Sequence, residues 1–210
     1  MTGIIAQNVG RTSGLIKAAS GGGGGAWTKI KTLTSDGSDS DLTFVNGTDD
    51  VVLDSTYSIY KFVYINTHPE TDGTHLQVGF RDGGSAYDAT MTTTYFRTHH
   101  GEDGGEGYVA YREDSDLAQS TSPQRLGIFI GADADQCCSG ELNLFAPSDT
   151  TFVKHFIART SNTYYVDYHQ DEYIAGYCNV TAAIDAVQFS MSADEIQGGK
   201  IKLYGLKDSA

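Results

Sequence analysis

Hydrophobic residues recur along most of this chain at every second position, which is the spacing of a β-strand with one buried face. In HLQVGF (75–80), Leu76, Val78 and Phe80 fall on one side, whereas SIYKFVYINT (58–67) is apolar on both sides and predicts a central strand. The same spacing predicts strands at 27–33, 92–98, 108–112, 125–131, 141–146, 151–159, 173–178, 186–192 and 200–206. Turn residues separate them at short intervals, so the sequence predicts an all-β fold, an antiparallel β-sandwich of jelly-roll or lectin-like type.

Helix candidates are limited to the short segments 116–120 and 181–185, neither long enough to be assigned from periodicity. Two hairpins are predicted from turn residues: one from Phe80 to Tyr95 around Asp82-Gly83-Gly84, and one that joins 186–192 to 200–206. The second hairpin places four apolar side chains in the core: Phe189, Met191, Ile201 and Leu203.

The first 25 residues have a different pattern. Residues 1–20 are small and apolar, residues 21–25 are five consecutive glycines, and the strand pattern starts after them. This predicts a docking arm (1–20), a poly-Gly linker (21–25) and one folded domain (26–210). The arm would contact a partner through seven residues, two of them basic: Ile4, Ile5, Val9, Arg11, Leu15, Ile16 and Lys17.

Charge and composition exclude several classes of protein. The chain carries 14 basic and 27 acidic residues, a net charge of −13, which argues against a nucleic-acid partner. No apolar run approaches the length of a membrane span, and the first twenty residues lack the basic start and apolar stretch of a secretory signal. The aromatic share of 11% is too high for a disordered chain.

Candidate chemistry is sparse. Asp36, Asp39 and Asp41 offer alternating oxygen ligands and form a weak Ca²⁺ candidate, without the EF-hand pattern. The adjacent Cys137 and Cys138 do not match a zinc motif and are expected, with Cys178, to be thiols; a bridge from Cys178 to one of the pair is the alternative. No nucleophile elbow, phosphate loop or metal-protease motif is present, so we expect no enzymatic activity and no other cofactor.

Tyrosines are concentrated near one predicted strand. Aromatic faces beside amide and carboxylate groups are common on sugar-binding and protein-binding surfaces, although tyrosine is also an ordinary strand residue. The candidate ligand surface consists of Tyr164, Tyr165, Tyr168, His169 and Tyr173.

The opening GIIAQNVGRTSGLIKA, followed by the glycine run and a Trp, resembles the start of structural proteins of tailed bacteriophages that infect marine bacteria. Five later stretches resemble the same group: VVLDSTY (51–57), DLAQST (116–121), FVKHFIART (152–160), YIAGY (173–177) and AVQFSMSADEIQGGKIKLYGLKDS (186–209). The resemblance implies a virion component of the tail or the capsid surface, with no enzyme activity.

Two functions are therefore expected from the sequence. The first is a virion structural protein, tail-fibre-like or capsid-decorating, whose partners are other virion proteins and further copies of itself, with a trimer favoured. The second is a lectin-like module that binds a receptor or a host cell-surface glycan. Neither expectation includes insertion into a membrane.

Overall fold

The protein is all-β. The computed structural model describes residues 27–207, and this part of the chain contains twelve strands and no helix. No segment of it forms a helix long and apolar enough to cross a membrane. The strands are β1 (Trp27–Thr34), β2 (Asp41–Val45), β3 (Ile59–Pro69), β4 (Thr74–Arg81), β5 (Met91–Gly101), β6 (Gly107–Tyr111), β7 (Gln124–Ile130), β8 (Cys138–Phe145), β9 (Lys154–Tyr164), β10 (Tyr168–Cys178), β11 (Ala186–Met191) and β12 (Ile196–Leu206).

All strand pairs are antiparallel and belong to one hydrogen-bonded network. Eight strands follow one another in the order β1-β12-β3-β8-β9-β10-β5-β6, and four follow in the order β7-β4-β11-β2. We call these the eight-stranded and four-stranded portions. They meet where Ile130 of β7 pairs with Tyr164 of β9, and again at the isolated bridge between Asp39 and Ile196. The sheet therefore nearly closes on itself.

The core lies between the two portions. From Ile59 to Ile65 of β3 every second side chain is buried, because successive side chains of a strand point to opposite faces. Phe62 of β3 packs against Phe44 of β2 and Phe189 of β11, with ring centroids 5.3 and 5.4 Å away. Each such buried side chain contributes about 1.5–3 kcal/mol, so aromatic residues contributed by both portions hold them together.

Eleven of the twelve strands were predicted from the apolar spacing, and β3 is central as expected, since it pairs with both β12 and β8. The segments proposed as helix candidates, 116–120 and 181–185, are not helical. The missed strand is β2, which lies directly after the acidic, serine-rich segment that contains Asp36 and Asp39. Only two of its five residues are buried, Leu42 and Phe44, so its pattern is too short to stand out.

Both predicted hairpins are wrong. Strand β4 pairs with β7 and β11 rather than with β5, and β11 pairs with β2 and β4 rather than with β12. In each case the turn carries the chain from the four-stranded to the eight-stranded portion, so the two strands that it joins lie in different portions. The four side chains assigned to the core by the second hairpin are nevertheless buried: Phe189, Met191, Ile201 and Leu203.

Candidate functional site

The outward face of the eight-stranded portion carries a row of aromatic and charged side chains. Tyr173 of β10 lies directly opposite Phe96 of β5 on one side and Arg159 of β9 on the other. The Phe96 and Tyr173 rings are stacked, with centroids 4.8 Å apart and planes within 1°, and the Arg159 guanidinium lies 4.9 Å from the Tyr173 ring centroid. Cross-strand neighbours on one face are close enough to interact in this way. Phe96 is 42% exposed, so the row faces solvent.

Asp171 fixes the orientation of this row. Arg159 donates two hydrogen bonds to its carboxylate, at 2.9 and 2.6 Å, and the Tyr173 hydroxyl donates a third at 2.9 Å. The hydrogen bonds from Arg159 hold the pKa of Asp171 below its usual value, and the bond to Asp171 raises the pKa of Tyr173. The three side chains therefore restrain one another and present a preorganised polar surface.

An open groove of about 600 Å³ runs beside this row. Its size is within the range of small-ligand sites, and it combines carboxylate, guanidinium, hydroxyl and imidazole groups with the nearby Phe96–Tyr173 stack. His169 lies at one side, where its Nε2 is 3.0 Å from the Ser161 hydroxyl. Such a surface can hydrogen-bond a hydroxylated ligand and pack against its apolar face. The groove is lined by Ser139, Gly140, Glu141, Arg159, Ser161, His169 and Asp171.

The candidate ligand surface from the sequence is divided between two faces. His169 and Tyr173 lie on the outward face, whereas Tyr168, one residue before His169, points to the other face with Gln170. Tyr164 and Tyr165 lie where β9 ends and the turn to β10 begins, with their rings stacked at 4.8 Å. The structure thus separates Tyr164, Tyr165 and Tyr168 from the groove.

A second aromatic cluster surrounds His99 on the inner face of β5. The His99 ring stacks on Tyr108 at 4.8 Å and lies 4.2 Å from Tyr168, and Tyr164 approaches it at 6.1 Å. Burial and the nearby Arg97 lower the pKa of His99, so the ring is neutral at pH 7. As expected from the alternation of strand residues, the adjacent His100 is exposed on the opposite face.

Beneath this cluster lie four buried polar side chains: Arg97, Asn162, Gln170 and Glu172. Two of them satisfy the backbone of one residue of β7, since Glu172 Oε1 accepts the Ile128 amide at 3.1 Å and Asn162 donates to the Ile128 carbonyl at 2.9 Å. The next residue, Phe129, has a φ of 56°, so β7 departs from regular strand geometry here. Burial raises the pKa of Glu172 to about 8, and its carboxyl is thus mainly protonated at pH 7.

The predicted Ca²⁺ ligands make local hydrogen bonds. Asp36 accepts the Ser38 amide and hydroxyl at 3.0 and 2.7 Å, Asp39 accepts the Asp36 amide at 2.9 Å, and Asp41 accepts the Thr43 hydroxyl at 2.6 Å. Within residues 27–207, no three His, Cys, Asp or Glu side chains are grouped so as to hold a metal ion. The expected Ca²⁺ site thus has no support from this geometry.

The three cysteines are free thiols, with Cys138 and Cys178 buried and Cys137 partly buried. Burial raises the pKa of each thiol, which makes them poor nucleophiles.

The predicted docking arm and the linker 21–25 lie outside the described residues. The arm residues concerned are Ile4, Ile5, Val9, Arg11, Leu15, Ile16 and Lys17.

Sequence reasoning missed most residues of the groove. The groove and the aromatic row beside it draw on four different strands, and only the register of those strands brings the side chains together. They are Phe96 of β5, Glu141 of β8, Arg159 of β9 and Asp171 of β10. One signal in the sequence indicated a shared face. Arg159 and Ser161 are two positions apart in one strand, and Asp171 and Tyr173 are two positions apart in the next.

Comparison of the chain with protein-family models, with curated proteins and with solved structures found no significant match. Functional arguments therefore depend on the residues themselves.

Proposed function

We propose that the protein is a non-enzymatic structural component of a phage virion, either tail-associated or decorating the capsid. Residues 1–20 would anchor it in the particle, and the β domain would be displayed on the surface. The observation that carries the proposal is the outward face of the eight-stranded portion, where Phe96, Tyr173, Arg159 and Asp171 form an exposed and mutually restrained contact surface. The resemblance of the opening sequence to phage structural proteins supports the same conclusion.

The proposed architecture of the displayed domain is a β-sandwich of jelly-roll or lectin-like type. Two observations support it. The four-stranded portion packs against the eight-stranded portion through Phe44, Phe62 and Phe189, and within residues 27–207 only one strand pair and one isolated bridge link the portions by β-pairing. Facing layers of this kind are the defining feature of sandwiches. A homo-oligomer, with a trimer favoured, is part of the proposal because identical copies in a particle usually adopt closed symmetry.

Incorporation into particles tests this function. A phage that encodes the chain with Ile4, Ile5, Val9, Leu15 and Ile16 all replaced by Ser should yield purified particles that lack the protein, as measured by mass spectrometry. The matched control replaces five exposed threonines and serines of the domain with Ala and should be incorporated normally. Normal incorporation of the arm variant would contradict the anchoring role of residues 1–20.

A lectin-like activity is the alternative, and the groove beside Tyr173 favours it. Sugars bind where hydroxyl-bonding side chains adjoin an exposed aromatic side chain. Asp171 and Arg159 adjoin the Phe96–Tyr173 stack, in which Phe96 is exposed. A glycan array with the full chain should then show binding that Tyr173→Ala abolishes. The control is Tyr177→Ala, which changes the same face of β10 outside the groove. Absence of binding to every glycan would refute this alternative.

A further inference from the structure

The eight-stranded portion ends in two strands that each have an unpaired edge. Within residues 27–207, β6 pairs only with β5 and β1 pairs only with β12. The Arg112 amide donates to Tyr95 and the Gly101 amide donates to Glu106, which fixes the hydrogen-bonded pairs of the β5–β6 ladder. Because hydrogen-bonded and non-bonded pairs alternate in an antiparallel ladder, the amides of Val109 and Tyr111 point away from β5. These groups are free to pair with another strand.

The β6 edge has none of the usual protection against strand pairing. It contains no proline and no charged residue, and its exposed side chains are large. Val109 is 71% exposed and Tyr111 is 52% exposed, while Phe96 on the neighbouring strand extends the apolar surface. Proteins normally block such an edge with lysine, proline or a bulge, so an open one is expected to be covered by a partner.

Acidic residues flank β6 at both ends. The loop before it contains Glu102, Asp103 and Glu106, and the segment after it contains Glu113, Asp114 and Asp116. Arg112 compensates part of this charge through its ion pair with Asp114 at 2.6 Å. A partner strand at β6 therefore meets a strongly negative surface.

The opposite end of the same portion is basic. Six of the eight lysines of the chain lie on or beside β1, β12 and β3: Lys29, Lys31, Lys61, Lys200, Lys202 and Lys207. Among these, Lys61 is paired with Glu141 at 2.9 Å, and no other ion pair forms from this group within the described residues. Lys29 and Lys31 belong to β1 itself, and Lys202 and Lys200 of β12 lie opposite Thr32 and Thr34, so positive charge extends along the β1 edge.

We propose that the β6 edge of one copy pairs with the β1 edge of a second copy, so that copies join head to tail through a continuous sheet. Pairing β6 with β6 would place acidic flanks against each other, and pairing β1 with β1 would oppose lysines, so like charges disfavour both. The β6–β1 contact alone brings opposite charges together. This proposal rests on the homo-oligomer that is part of the proposed function, but not on the location of the protein in a virion.

A head-to-tail contact is heterologous, so it forms a ring when successive rotations close and a filament when they do not. Because β6 has only five residues, the pairing is short, and we expect it to strengthen with concentration and to weaken at high ionic strength.

Sedimentation of the full chain tests the contact through charge reversal. Lys29→Glu with Lys31→Glu makes the β1 edge acidic, and Glu106→Lys with Glu113→Lys makes the β6 edge basic. Each double variant alone should sediment as a monomer at concentrations where the wild type associates. An equal mixture of the two should associate again, because each acidic edge then meets a basic edge.

Val109→Pro provides an independent test, since it removes an outward amide without breaking the β5–β6 ladder. It should abolish association, whereas Val109→Thr should retain it. Circular dichroism of every variant checks that the domain is folded.

A monomeric wild type would overturn the proposal, as would normal association of the Lys29→Glu, Lys31→Glu variant, because the charge of the β1 edge would then play no part in the contact. Incorporation into particles through residues 1–20 is tested separately. Either of these two sedimentation results is therefore distinguishable from failure of the anchoring role in the proposed function.

Discussion

Arg97 and Glu172 lie directly opposite each other on neighbouring strands, and both are buried, yet the two side chains form no ion pair in the described part of the chain. Arg97 instead donates to the Tyr108 hydroxyl at 3.2 Å, and Glu172 accepts the Ile128 amide at 3.1 Å. Burial keeps Glu172 protonated at pH 7, because the free-energy cost of removing a carboxylate from water exceeds its electrostatic attraction to the nearby Arg97.

The first prediction is that stability falls as pH rises through the neutral range. The pKa of Glu172 is about 8 in the folded protein and 4.5 in its reference state, so between these values the native state retains a proton that the unfolded chain releases. The associated stability is complete below the lower pKa and is lost as pH rises to the higher one, at about 1.4 kcal/mol per pH unit and up to ~5 kcal/mol in total. Glu172→Gln should remove this dependence while keeping the acceptor for Ile128.

Urea unfolding at about pH 5 and about pH 9 measures this difference. The matched control is Glu141→Gln: Lys61 lowers the pKa of Glu141, so this carboxylate titrates only in the acid range. An unchanged pH dependence in Glu172→Gln would show that the carboxyl is ionised in the native protein.

The second prediction concerns Gly140, which lies under the groove. A Cβ at this position would be 2.2 Å from the Arg159 carbonyl oxygen and 2.7 Å from the Tyr64 ring. Gly140→Ala should therefore push β8 away from β9 and destabilise the fold by about 1–3 kcal/mol. Gly84→Ala is the control, because an added Cβ there meets nothing closer than 4.0 Å. Equal melting temperatures for the two variants would contradict the close approach of the strands.

The third prediction concerns the contact between the two portions. Phe62→Ala removes a fully buried ring that touches both Phe44 and Phe189, and we expect a loss of about 3–5 kcal/mol in the free energy of unfolding. Phe152→Ala changes a ring that is 70% exposed and should have little effect. Comparable losses in chemical denaturation would mean that the portions do not pack through Phe62.

The fourth prediction concerns Lys154, a buried lysine that forms no ion pair with a carboxylate in the part of the chain that the structure describes. Its ammonium group donates to the carbonyl oxygens of Asp149, Phe152 and Val180 at 3.0, 3.2 and 2.8 Å. Lys154→Met would leave these acceptors unsatisfied, and we expect a loss of about 2 kcal/mol or more. Lys61→Met breaks an ion pair that is partly exposed and should lose no more than ~1 kcal/mol. Thermal unfolding monitored by circular dichroism compares the two.

Much of the local structure could be predicted from the sequence, because strand spacing is a local property. The burial of Leu76, Val78 and Phe80 and the opposite orientations of His99 and His100 both follow directly from it. Strand pairing could not be predicted in this way, because the turns after β4 and β11 identify the end of a strand but not its partner.

The groove was missed for the same reason. Arg159 and Asp171 are separated by a turn, and Glu141 and Phe96 belong to other strands, so their meeting depends on register. The tyrosine-rich segment drew attention to β10. Successive residues of a strand point to opposite faces, however, and of the five candidate residues only His169 and Tyr173 lie on the outward face of β10.

The pairing of β12 between β1 and β3 determines when the protein can fold during synthesis. Strand β3 presents Tyr60, Phe62 and Tyr64 to the core, and one of its two edges stays open until residues 196–206 have left the ribosome. A nascent chain therefore carries an aromatic strand with at least one unpaired edge through most of its translation. Chains of this kind tend to aggregate or to bind chaperones. Expression should be sensitive to any sequence change that delays the arrival of β12.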